Sequence, residues 1–345
     1  MKNISISVIL PTYNESSWLP NTLAALDKSI SNSKNLKDVE IIIVDDGSTD
    51  DTKKVINNIS KQIKTNLIYI KQKNSGRFLA RKKGIERANY EVILFIDSRV
   101  HIGTESLNYI SQKLVDNPEK NIWNAHVYVY KKNNIYARFW DVITSVAWHK
   151  YFSNPREVSY GIDEFDYFPK GTTCFLAPKK LINEAIINFE SNSNNSKESN
   201  DDTLLIKFLA TKQNINISPD FNCMYFSRSS LDKFLKHAYH RGQVFVDGFL
   251  RKDGNRYYLP LLFFLILSVP IVALLVALLF SAPYLCLFLL LLFFLILYLV
   301  LTIYKVKSID SFSFLFLLPL FASVYGLGIW IATINNRLAK KQHAK

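Results

Sequence analysis

Towards its C-terminal end the chain contains a long segment, 257–304, that has no charged residue. About 20 apolar residues span a bilayer as a helix, so this segment is long enough for two passes. Residues 281–283, Ser-Ala-Pro, supply a break between them. A second uncharged segment, 312–334, is long enough for a third pass. The sequence therefore predicts a membrane region at 257–334, with helices at about 257–280, 284–304 and 312–334.

Basic residues flank the first two predicted helices. Arg251, Lys252 and Arg256 precede the first, and Lys305 and Lys307 follow the second, which by the positive-inside rule places both flanks in the cytoplasm. A full third span would put the basic tail, 335–345, outside. Two interpretations therefore stay open for the third segment: a complete span, or a re-entrant or interfacial helix around Pro319, Gly326 and Gly328.

The N-terminus reaches an apolar strand within a few residues and shows no signal segment. We therefore expect a multi-pass protein of the inner (plasma) membrane whose N-terminal domain is cytoplasmic. The formal net charge is +13, which fits an anionic membrane surface or phosphorylated substrates. No basic region carries a nucleic-acid-binding motif, so we expect no nucleic-acid partner. Three widely separated cysteines indicate reduced thiols rather than a disulfide framework.

The first hundred residues alternate short apolar strands with helical patterns. Apolar runs at 4–10, 39–44, 67–70 and 92–96 are separated by segments with helical spacing, of which 19–26 is an example. This succession predicts an α/β fold with a doubly wound, mostly parallel sheet. The first strand is expected to stop at Pro11, which cannot donate a ladder hydrogen bond. The run 123–130 is expected to form an edge strand.

Each predicted strand is followed by polar or charged residues. In open α/β sheets, ligands bind beyond the carboxyl ends of the strands, so these side chains should meet at one edge. Carboxylates there suit a divalent cation, and arginines suit phosphate oxygens. Neither the Gly-rich dinucleotide fingerprint nor the P-loop motif occurs. The four clusters are Thr12/Tyr13/Glu15, Asp45/Asp46, Gly76/Arg77 and Asp97/Arg99.

Four sequence elements resemble the inverting family 2 glycosyltransferases of GT-A fold, and they follow that family's order and spacing. They are Pro11-Thr12-Tyr13-Asn14-Glu15, Val44-Asp45-Asp46-Gly47-Ser48-Thr49-Asp50, Asn74-Ser75-Gly76-Arg77 through Ala80-Arg81, and Ile96-Asp97-Ser98. The resemblance implies transfer of a sugar from a nucleotide sugar. By that resemblance Pro11, Thr12, Tyr13, Glu15, Asp45 and Asp46 line the nucleoside pocket. Gly76 and Arg77 approach the diphosphate, and Asp97 holds Mg²⁺ or Mn²⁺. Asp97, Ser98 and Arg99 are also expected to bind the nucleotide sugar.

The family usually has Asp-x-Asp where this chain has Asp97-Ser98-Arg99. Losing a carboxylate should weaken metal affinity, whereas Arg99 could neutralise the diphosphate directly. The hypothesis is that Asp97 still holds a metal and Arg99 shares the charge. The alternative is that Arg99 only pairs with a nearby surface acid.

Two further segments complete the predicted site. After a polar stretch, 191–199, which reads as a mobile loop, comes Asp201-Asp202 and a helix. The resemblance places the catalytic base here, and Asp202 is assigned that role with Asp201 as orienter or substitute; a plain helix N-cap is the alternative. Arg241, in the basic amphipathic region 229–256, is expected to approach the diphosphate by the same resemblance.

The predicted organisation is a cytosolic GT-A domain at 1–228, with a nucleotide-sugar half (1–100) and an acceptor half (101–228). Juxtamembrane helices (229–256), the membrane region and the basic tail follow. An aromatic face at 136–151 either packs on its own core or lies on the bilayer.

The predicted function is an inverting glycosyltransferase that uses a UDP- or GDP-linked sugar and a polyprenyl-linked or surface-glycan acceptor at the bilayer. A polyprenyl-phosphate sugar synthase and a non-catalytic nucleotide-sugar-binding membrane subunit are the alternatives. The sequence does not indicate an oligomeric state.

Overall fold

The computed structural model describes residues 4–188, 201–249 and 258–343; within these ranges it does not describe the side chains of 201–202, 247–249, 258–262 and 336–343. It divides into two compact units. Among the described residues, the first unit comprises 4–130, 148–188 and 201–227. The second comprises 131–147, 228–249 and 258–343. The predicted loop at 191–199 lies outside the described residues.

The first unit is a nine-stranded mixed sheet covered by helices on both faces. Its strand order is β3-β2-β1-β4-β8-β6-β9-β5, and β7 pairs with β9 beside this path. The strands are β1 Ile4–Thr12, β2 Leu36–Asp45, β3 Asn66–Lys71, β4 Val92–Ile96, β5 Val100–Ile102, β6 Trp123–Val129, β7 Val158–Tyr160, β8 Cys174–Pro178 and β9 Ile215–Tyr225. Its helices are α1 Leu19–Asn32, α2 Thr52–Ile59, α3 Arg77–Arg87, α4 Ser106–Asp116, α6 His149–Phe152, a 3₁₀ helix at Ile162–Tyr167, α7 Lys179–Ile187 and α8 Asp201–Lys212.

The central strand β4 is buried on both faces, as its continuous apolar sequence predicts. Leu94 and Ile96 belong to the core under α1, α2 and α4, whereas Ile93 and Phe95 belong to the core under α3, α7 and α8. Successive side chains of a strand point to opposite faces, so one strand supplies both cores. The α/β, GT-A-like fold class is confirmed: β3, β2, β1 and β4 are parallel neighbours.

Two details of the predicted strands are wrong. Strand β1 continues through Pro11 to Thr12 because its pairing with β4 ends at Ile9. The Pro11 carbonyl faces that side, where it accepts a hydrogen bond from Ser98 Oγ at 2.9 Å, so no ladder bond depends on the missing N–H. Strand β6 is interior rather than an edge, because it pairs with both β8 and β9.

The second unit consists of long helices. They are α5 Ile135–Ala147, α9 Leu231–Phe249, α10 Tyr258–Ser281, α11 Pro283–Ile303 and α12 Ser308–His343. Windows at Phe263–Ser281, Pro283–Ile303 and Ser308–Asn335 are long and apolar enough to cross a membrane. Because α12 ends at His343, the predicted tail at 335–345 is helical as far as that residue.

Helix α5 groups with α9 and α12 rather than with the sheet, so the units do not divide by a single cut at residue 228. The cause is its aromatic face. Phe139 is fully buried, and its ring stacks on Phe314 of α12 and meets Phe234 of α9 edge-on, with centroids 5.0 and 5.3 Å away. The face at 136–151 thus packs on neighbouring helices through its first part, while Tyr151 enters the core of the first unit.

His126 on β6 makes the stability of the first unit dependent on pH. Burial lowers the pKa of this histidine to about 4, and its Nδ1 lies 2.9 Å from the hydroxyl of Tyr151. Below its ordinary pKa of 6.5, the unfolded chain binds a proton that the folded chain does not. Stability is therefore complete above pH 6.5 and is lost as pH falls towards 4, by on the order of 3 kcal/mol.

We expect the thermal midpoint of the detergent-solubilised protein to decrease as the pH is lowered from 7 to 4.5. His126→Phe should reduce this dependence of the midpoint on pH. The matched control is His149→Gln, a half-buried histidine of the same unit, which should leave the slope unchanged. Equal slopes in the wild type and in His126→Phe would contradict the assignment.

Candidate active site

The carboxyl ends of three parallel neighbours, β1, β2 and β4, form one edge of the sheet. In the β1–β2 register Thr12 lies opposite Asp45, and the loop after β4 begins at Asp97, whose amide donates to the carbonyl of Thr173 at 3.0 Å. The sheet topology therefore brings together the polar clusters that follow these strands. This is the convergence expected from the sequence.

The first two loops of this edge are hydrogen-bonded to each other through Asn14. Its amide donates to Ser48 Oγ at 2.9 Å, and its Oδ1 accepts from the amide of Thr49 at 2.8 Å. Asn14 has a φ of 55°, a left-handed conformation that asparagine tolerates better than most residues. The β1–α1 and β2–α2 loops are thus fixed against one another.

Asp45 and Asp46 are both buried and both hold backbone or side-chain donors. Asp45 accepts from the amide of Ser48 at 2.7 Å and from the hydroxyl of Tyr69 at 2.6 Å. Burial and this hydrogen bond raise the pKa of Tyr69 well above its ordinary value, so the phenol remains a donor. Asp45 therefore closes the turn after β2 and ties it to β3.

Asp46 organises the loop that leads into α3. Its Oδ1 accepts from Gln72 Nε2 at 2.7 Å and from the Ser75 amide at 2.8 Å, and its Oδ2 accepts from the Gly76 amide at 2.9 Å. The close approach of the two loops requires Gly47, which has a φ of 84° and whose Cβ would lie 2.8 Å from the amide nitrogen of Asn74.

Helix α3 begins at this edge. Gly76 has a φ of 96° and precedes Arg77, the first helical residue, which is exposed. A helix N-terminus presents unpaired amides and a positive dipole end to an anion, and an arginine adds a full charge. The arrangement suits the diphosphate predicted for Gly76 and Arg77.

Asp97 is ion-paired with Arg81 of α3. Arg81 Nη2 lies 3.0 Å from Asp97 Oδ1, and the arginine is only 2% exposed, whereas Asp97 is 23% exposed. The guanidinium also lies over the ring of Phe95, 5.7 Å from its centroid. The carboxylate predicted to bind metal therefore has one oxygen engaged by a buried cation and stands partly open to solvent.

Arg99 is held by Glu15, and its predicted contact with the diphosphate stays a prediction. Its Nε donates to both carboxylate oxygens, at 2.8 and 2.9 Å, and its guanidinium lies over the ring of Trp18, 5.0 Å from the centroid. Both partners are about one-seventh exposed, so the acid is not a surface residue. Glu15, itself predicted to line the nucleoside pocket, thus reaches the end of β4.

Ser98 and Thr12 differ in how their hydroxyls are used. Ser98 is buried and donates to the Pro11 carbonyl, while its own carbonyl accepts from Thr22 Oγ1 at 2.7 Å, so it joins the loop to β1 and α1. Its binding of the nucleotide sugar stays a prediction. Thr12 Oγ1 is buried and has no hydrogen-bond partner within the part of the chain that is described. Tyr13, next in the sequence, is 48% exposed.

The remaining predicted residues have less defined positions. Asp201 and Asp202 form the first turn of α8, as an N-terminal carboxylate pair should, but their side chains lie outside the described residues. Arg241 lies on α9, in the second unit. The catalytic role of the aspartates and the diphosphate contact of Arg241 therefore stay predictions.

A divalent cation would find one suitable carboxylate here. Among the described side chains, no three His, Cys, Asp or Glu residues lie close enough to hold a metal by themselves. Mg²⁺ is commonly bound through one or two carboxylates together with phosphate oxygens, and the partly exposed carboxylate of Asp97 fits that mode. Arg81 and Arg99 add positive charge nearby, which lowers the affinity for a cation that arrives without the diphosphate.

The comparisons with known proteins agree with this geometry. Residues 7–176 match the family model "Glycosyl transferase family 2". Over these residues the chain is similar to glycosyl transferase family 2. The matched region covers every strand end of the site and stops before α8.

Two curated relatives align with parts of the chain. A dolichyl-phosphate beta-glucosyltransferase from Dictyostelium discoideum is 41% identical over 28% of this chain and 31% of its own length. A GalNAc(5)-diNAcBac-PP-undecaprenol beta-1,3-glucosyltransferase from Campylobacter jejuni is 31% identical over 39% of this chain and 41% of its own length. The chain thus spans less than half of the curated relatives it matches.

A solved structure is similar over nearly the whole chain. It is the mannosyltransferase PcManGT from Pyrobaculum calidifontis in complex with GDP-Man and Mn²⁺, with a TM-score of 0.60 and 15% identity, covering 97% of this chain and 87% of that one. At this identity the likeness establishes the fold.

We expect loss of the Arg81 charge to destabilise the first unit, because it removes the buried guanidinium that pairs with the Asp97 carboxylate. Arg81→Met should cost about 3 kcal/mol in the free energy of unfolding. Arg87→Met, an exposed arginine of the same helix, is the matched control and should cost little. Thermal unfolding in detergent measures both, and equal midpoints would show that the pair does not stabilise the unit.

Proposed function

We propose that this protein is a membrane-bound inverting glycosyltransferase. It moves a sugar from a nucleoside-diphosphate sugar to a polyprenyl-linked or surface-glycan acceptor. The observation that carries the proposal is the convergence of Asp45, Asp46, Asp97 and the N-terminus of α3 at one sheet edge of a domain similar to family 2.

The donor would bind across the ends of β1, β2 and β4. Ribose and base need hydrogen-bond acceptors and donors, which the Thr12, Asp45 and Asp46 region offers; the buried Thr12 hydroxyl without a partner supports a ligand at this point. The diphosphate would lie at Gly76 and Arg77, where the dipole of α3 and a guanidinium favour negative charge. Both UDP- and GDP-linked sugars fit this description.

Departure of the diphosphate creates negative charge that must be stabilised. A Mg²⁺ or Mn²⁺ ion bound through Asp97 and the phosphates would supply Lewis-acid stabilisation. Arg99, held in place by Glu15 and Trp18, would contribute a fixed positive charge at the position where the family usually has a second carboxylate. Arg241 is the further proposed diphosphate ligand.

Inversion needs a base that takes the proton of the acceptor hydroxyl as its oxygen attacks the anomeric carbon. We assign this role to Asp202, with Asp201 orienting it. Their place in the first turn of α8 supports the assignment, because the resemblance puts the base at the start of such a helix.

A lipid-linked acceptor is supported by the three apolar helices and by the names of the two relatives, which include dolichyl phosphate and undecaprenol. The dolichyl-phosphate relative also favours a second candidate, a polyprenyl-phosphate sugar synthase, in which the lipid phosphate itself accepts the sugar. In both cases the first unit would work at the cytoplasmic side of the inner membrane.

The proposal is tested by measuring thermal stabilisation of the detergent-solubilised protein by a panel of nucleotide sugars, and then transfer from the stabilising donor to membrane lipid extract. A glycosylated lipid is the expected product. The number of phosphates between its lipid and its sugar, one or two by mass spectrometry, distinguishes the two classes of lipid acceptor. Binding without transfer would favour a non-catalytic nucleotide-sugar-binding subunit.

Replacement of the base should separate chemistry from binding. We expect Asp202→Asn to lower turnover by about 10²–10⁴-fold while nucleotide affinity stays within a factor of two. Asp201→Asn is the matched variant and should retain more activity, because its carboxylate only orients the base. Turnover of Asp202→Asn close to that of the wild type would refute the assignment.

Metal use should depend on Arg99. We expect Mn²⁺ to bind weakly without nucleotide and more tightly with the nucleoside diphosphate, because Asp97 alone leaves most coordination positions to the substrate. The double variant Glu15→Gln/Arg99→Asp should bind Mn²⁺ at least about tenfold more tightly, since a second carboxylate replaces a cation. Glu15→Gln alone is the control, and calorimetric titration measures all three. Full wild-type activity in EDTA would exclude a metal requirement.

A further inference from the structure

Helices α10 and α11 form an apolar hairpin whose turn lies at residues 281–283. Their mean hydropathies are 3.0 and 3.1, and that of the α12 window is lower, at 2.1. Apolar side chains are exposed all round the hairpin; for example Val269, Leu279 and Leu291 are each more than half exposed. A hairpin of this length and composition spans the hydrocarbon core and returns.

Helix α12 begins beside the open end of this hairpin. After α11 ends at Ile303, a short turn with Lys305 at a φ of 57° leads into α12. The ring of Phe312 lies 5.5 Å from that of Tyr298, centroid to centroid. At 1.5 Å per residue, Tyr298 is ~22 Å along α11 from the hairpin turn.

Further along α12, its contacts with α10 lie at the same end of the hairpin. A Cβ on Gly326 would be 3.1 Å from the ring of Phe264, and Trp330 Nε1 donates to Ser268 Oγ at 3.2 Å. Phe264 and Ser268 are ~26 and ~20 Å along α10 from the turn. From Phe312 to Gly326 the helix therefore advances ~21 Å along its own axis without approaching the turn. A helix antiparallel to α11 would have covered most of the distance from Tyr298 to the turn over that length. Helix α12 therefore crosses the base of the hairpin obliquely.

The inner face of α12 packs on two helices that carry charges. Leu317 of α12 belongs to one buried cluster with Phe139 of α5 and Phe234 of α9. The backbones of α9 and α12 touch at Gly242 and Gly328: an added Cβ on Gly242 would collide with the carbonyl of Tyr325, and one on Gly328 with that of Tyr239. Drawing α12 into the hydrocarbon would take α5 and α9 with it. Their charged residues, which include Arg138, Asp141, Lys233, Lys236 and Arg241, would make that costly.

Asp310, in the first turn of α12, is fixed to α5 by ion pairs. Its carboxylate lies 2.6 Å from Arg138 Nη1 and 2.9 Å from Lys131 Nζ, and it is only 4% exposed. Lys131 also pairs with Asp141 at 2.6 Å. The start of α12 is therefore bound to a polar network, which belongs at the headgroup level rather than in the acyl chains.

The outer face of α12 is an exposed apolar stripe. Its residues recur at intervals of three, four or seven, which places them on one side of a helix. They are Ile309 (58% exposed), Phe312 (64%), Phe316 (77%), Leu320 (39%), Leu327 (54%) and Ile334 (49%). A helix with one packed face and one apolar exposed face suits the membrane interface.

We propose that α12 lies along the surface of the lipid bilayer with this stripe in the acyl boundary, so that the chain crosses the membrane only twice. The occupant of the stripe is lipid, because the stripe is continuous with the apolar hairpin at Tyr298 and Phe264. The C-terminus then lies on the same side as residues 4–249. The Arg and Lys residues of the tail, Arg337, Lys340, Lys341 and Lys345, agree with the side that the positive-inside rule prefers.

The number of crossings is tested by labelling introduced cysteines in sealed right-side-out and inverted membrane vesicles with an impermeant maleimide, in a Cys286→Ser background. Cys174 and Cys223 remain but are fully buried, and the background protein without a reporter is the blank. Three reporters are compared: Gln342→Cys, Lys61→Cys in the first unit and Tyr284→Cys at the hairpin turn. We expect position 342 to be labelled from the same side as position 61 and from the opposite side to position 284. Labelling of 342 from the side of 284 would overturn the proposal. The readout does not involve glycosyl transfer, so it is independent of the proposed function.

The orientation of α12 is tested by the depth of nitroxide labels at Phe316→Cys and Leu327→Cys, measured from their accessibility to oxygen and to a water-soluble nickel complex. These positions are ~16 Å apart along the helix. An interfacial helix gives nearly equal shallow depths, and a spanning helix gives depths that differ by more than 10 Å or so. Val269→Cys and Leu279→Cys, a similar distance apart on α10, are the spanning control and should differ in depth.

Discussion

A buried guanidinium paired with a partly exposed carboxylate, Arg81 with Asp97, fixes the central part of the first unit. Arg81 lies on α3, whose N-terminus begins beside Asp46, and Asp97 ends the strand that supplies both cores. The pair therefore holds the helix that would receive a diphosphate against the strand that would receive a metal. Because a lone buried charge is far more costly than a paired one, neither partner can be lost without disturbing this edge.

Much of the fold is readable from apolar periodicity. The uninterrupted run Val92–Ile96 predicts a strand buried on both faces, and the uncharged segments predict long helices in the second unit. The edge at which polar residues meet follows from parallel strand topology alone. Strand pairing decides what periodicity cannot. Pro11 is accommodated inside β1 because the pairing of β1 with β4 has already ended at Ile9, which no local sequence pattern reveals.

The partners of the site residues were harder to predict, because ion pairs join positions far apart in the sequence. Glu15 and Arg99 are 84 residues apart, and the sequence predicts each of them separately to bind the ligand. Arg81 reads as an ordinary helical arginine; the signal that could have singled it out is its spacing from Ala80 and Gly84, which places it on the buried face of α3. Asn14 and Tyr69 organise loops through single hydrogen bonds, and such roles leave no pattern in a single sequence.

The glycine crossing of α9 and α12 has a mechanical consequence. With backbone against backbone at Gly242 and Gly328, the two helices have no layer of side chains between them that could shear, so they must move as one rigid body. Arg241 precedes one of these glycines. Lateral pressure, bilayer thickness or lipid curvature acting on α12 would therefore be transmitted to that arginine without loss, which makes the composition of the surrounding membrane a physical input to its position.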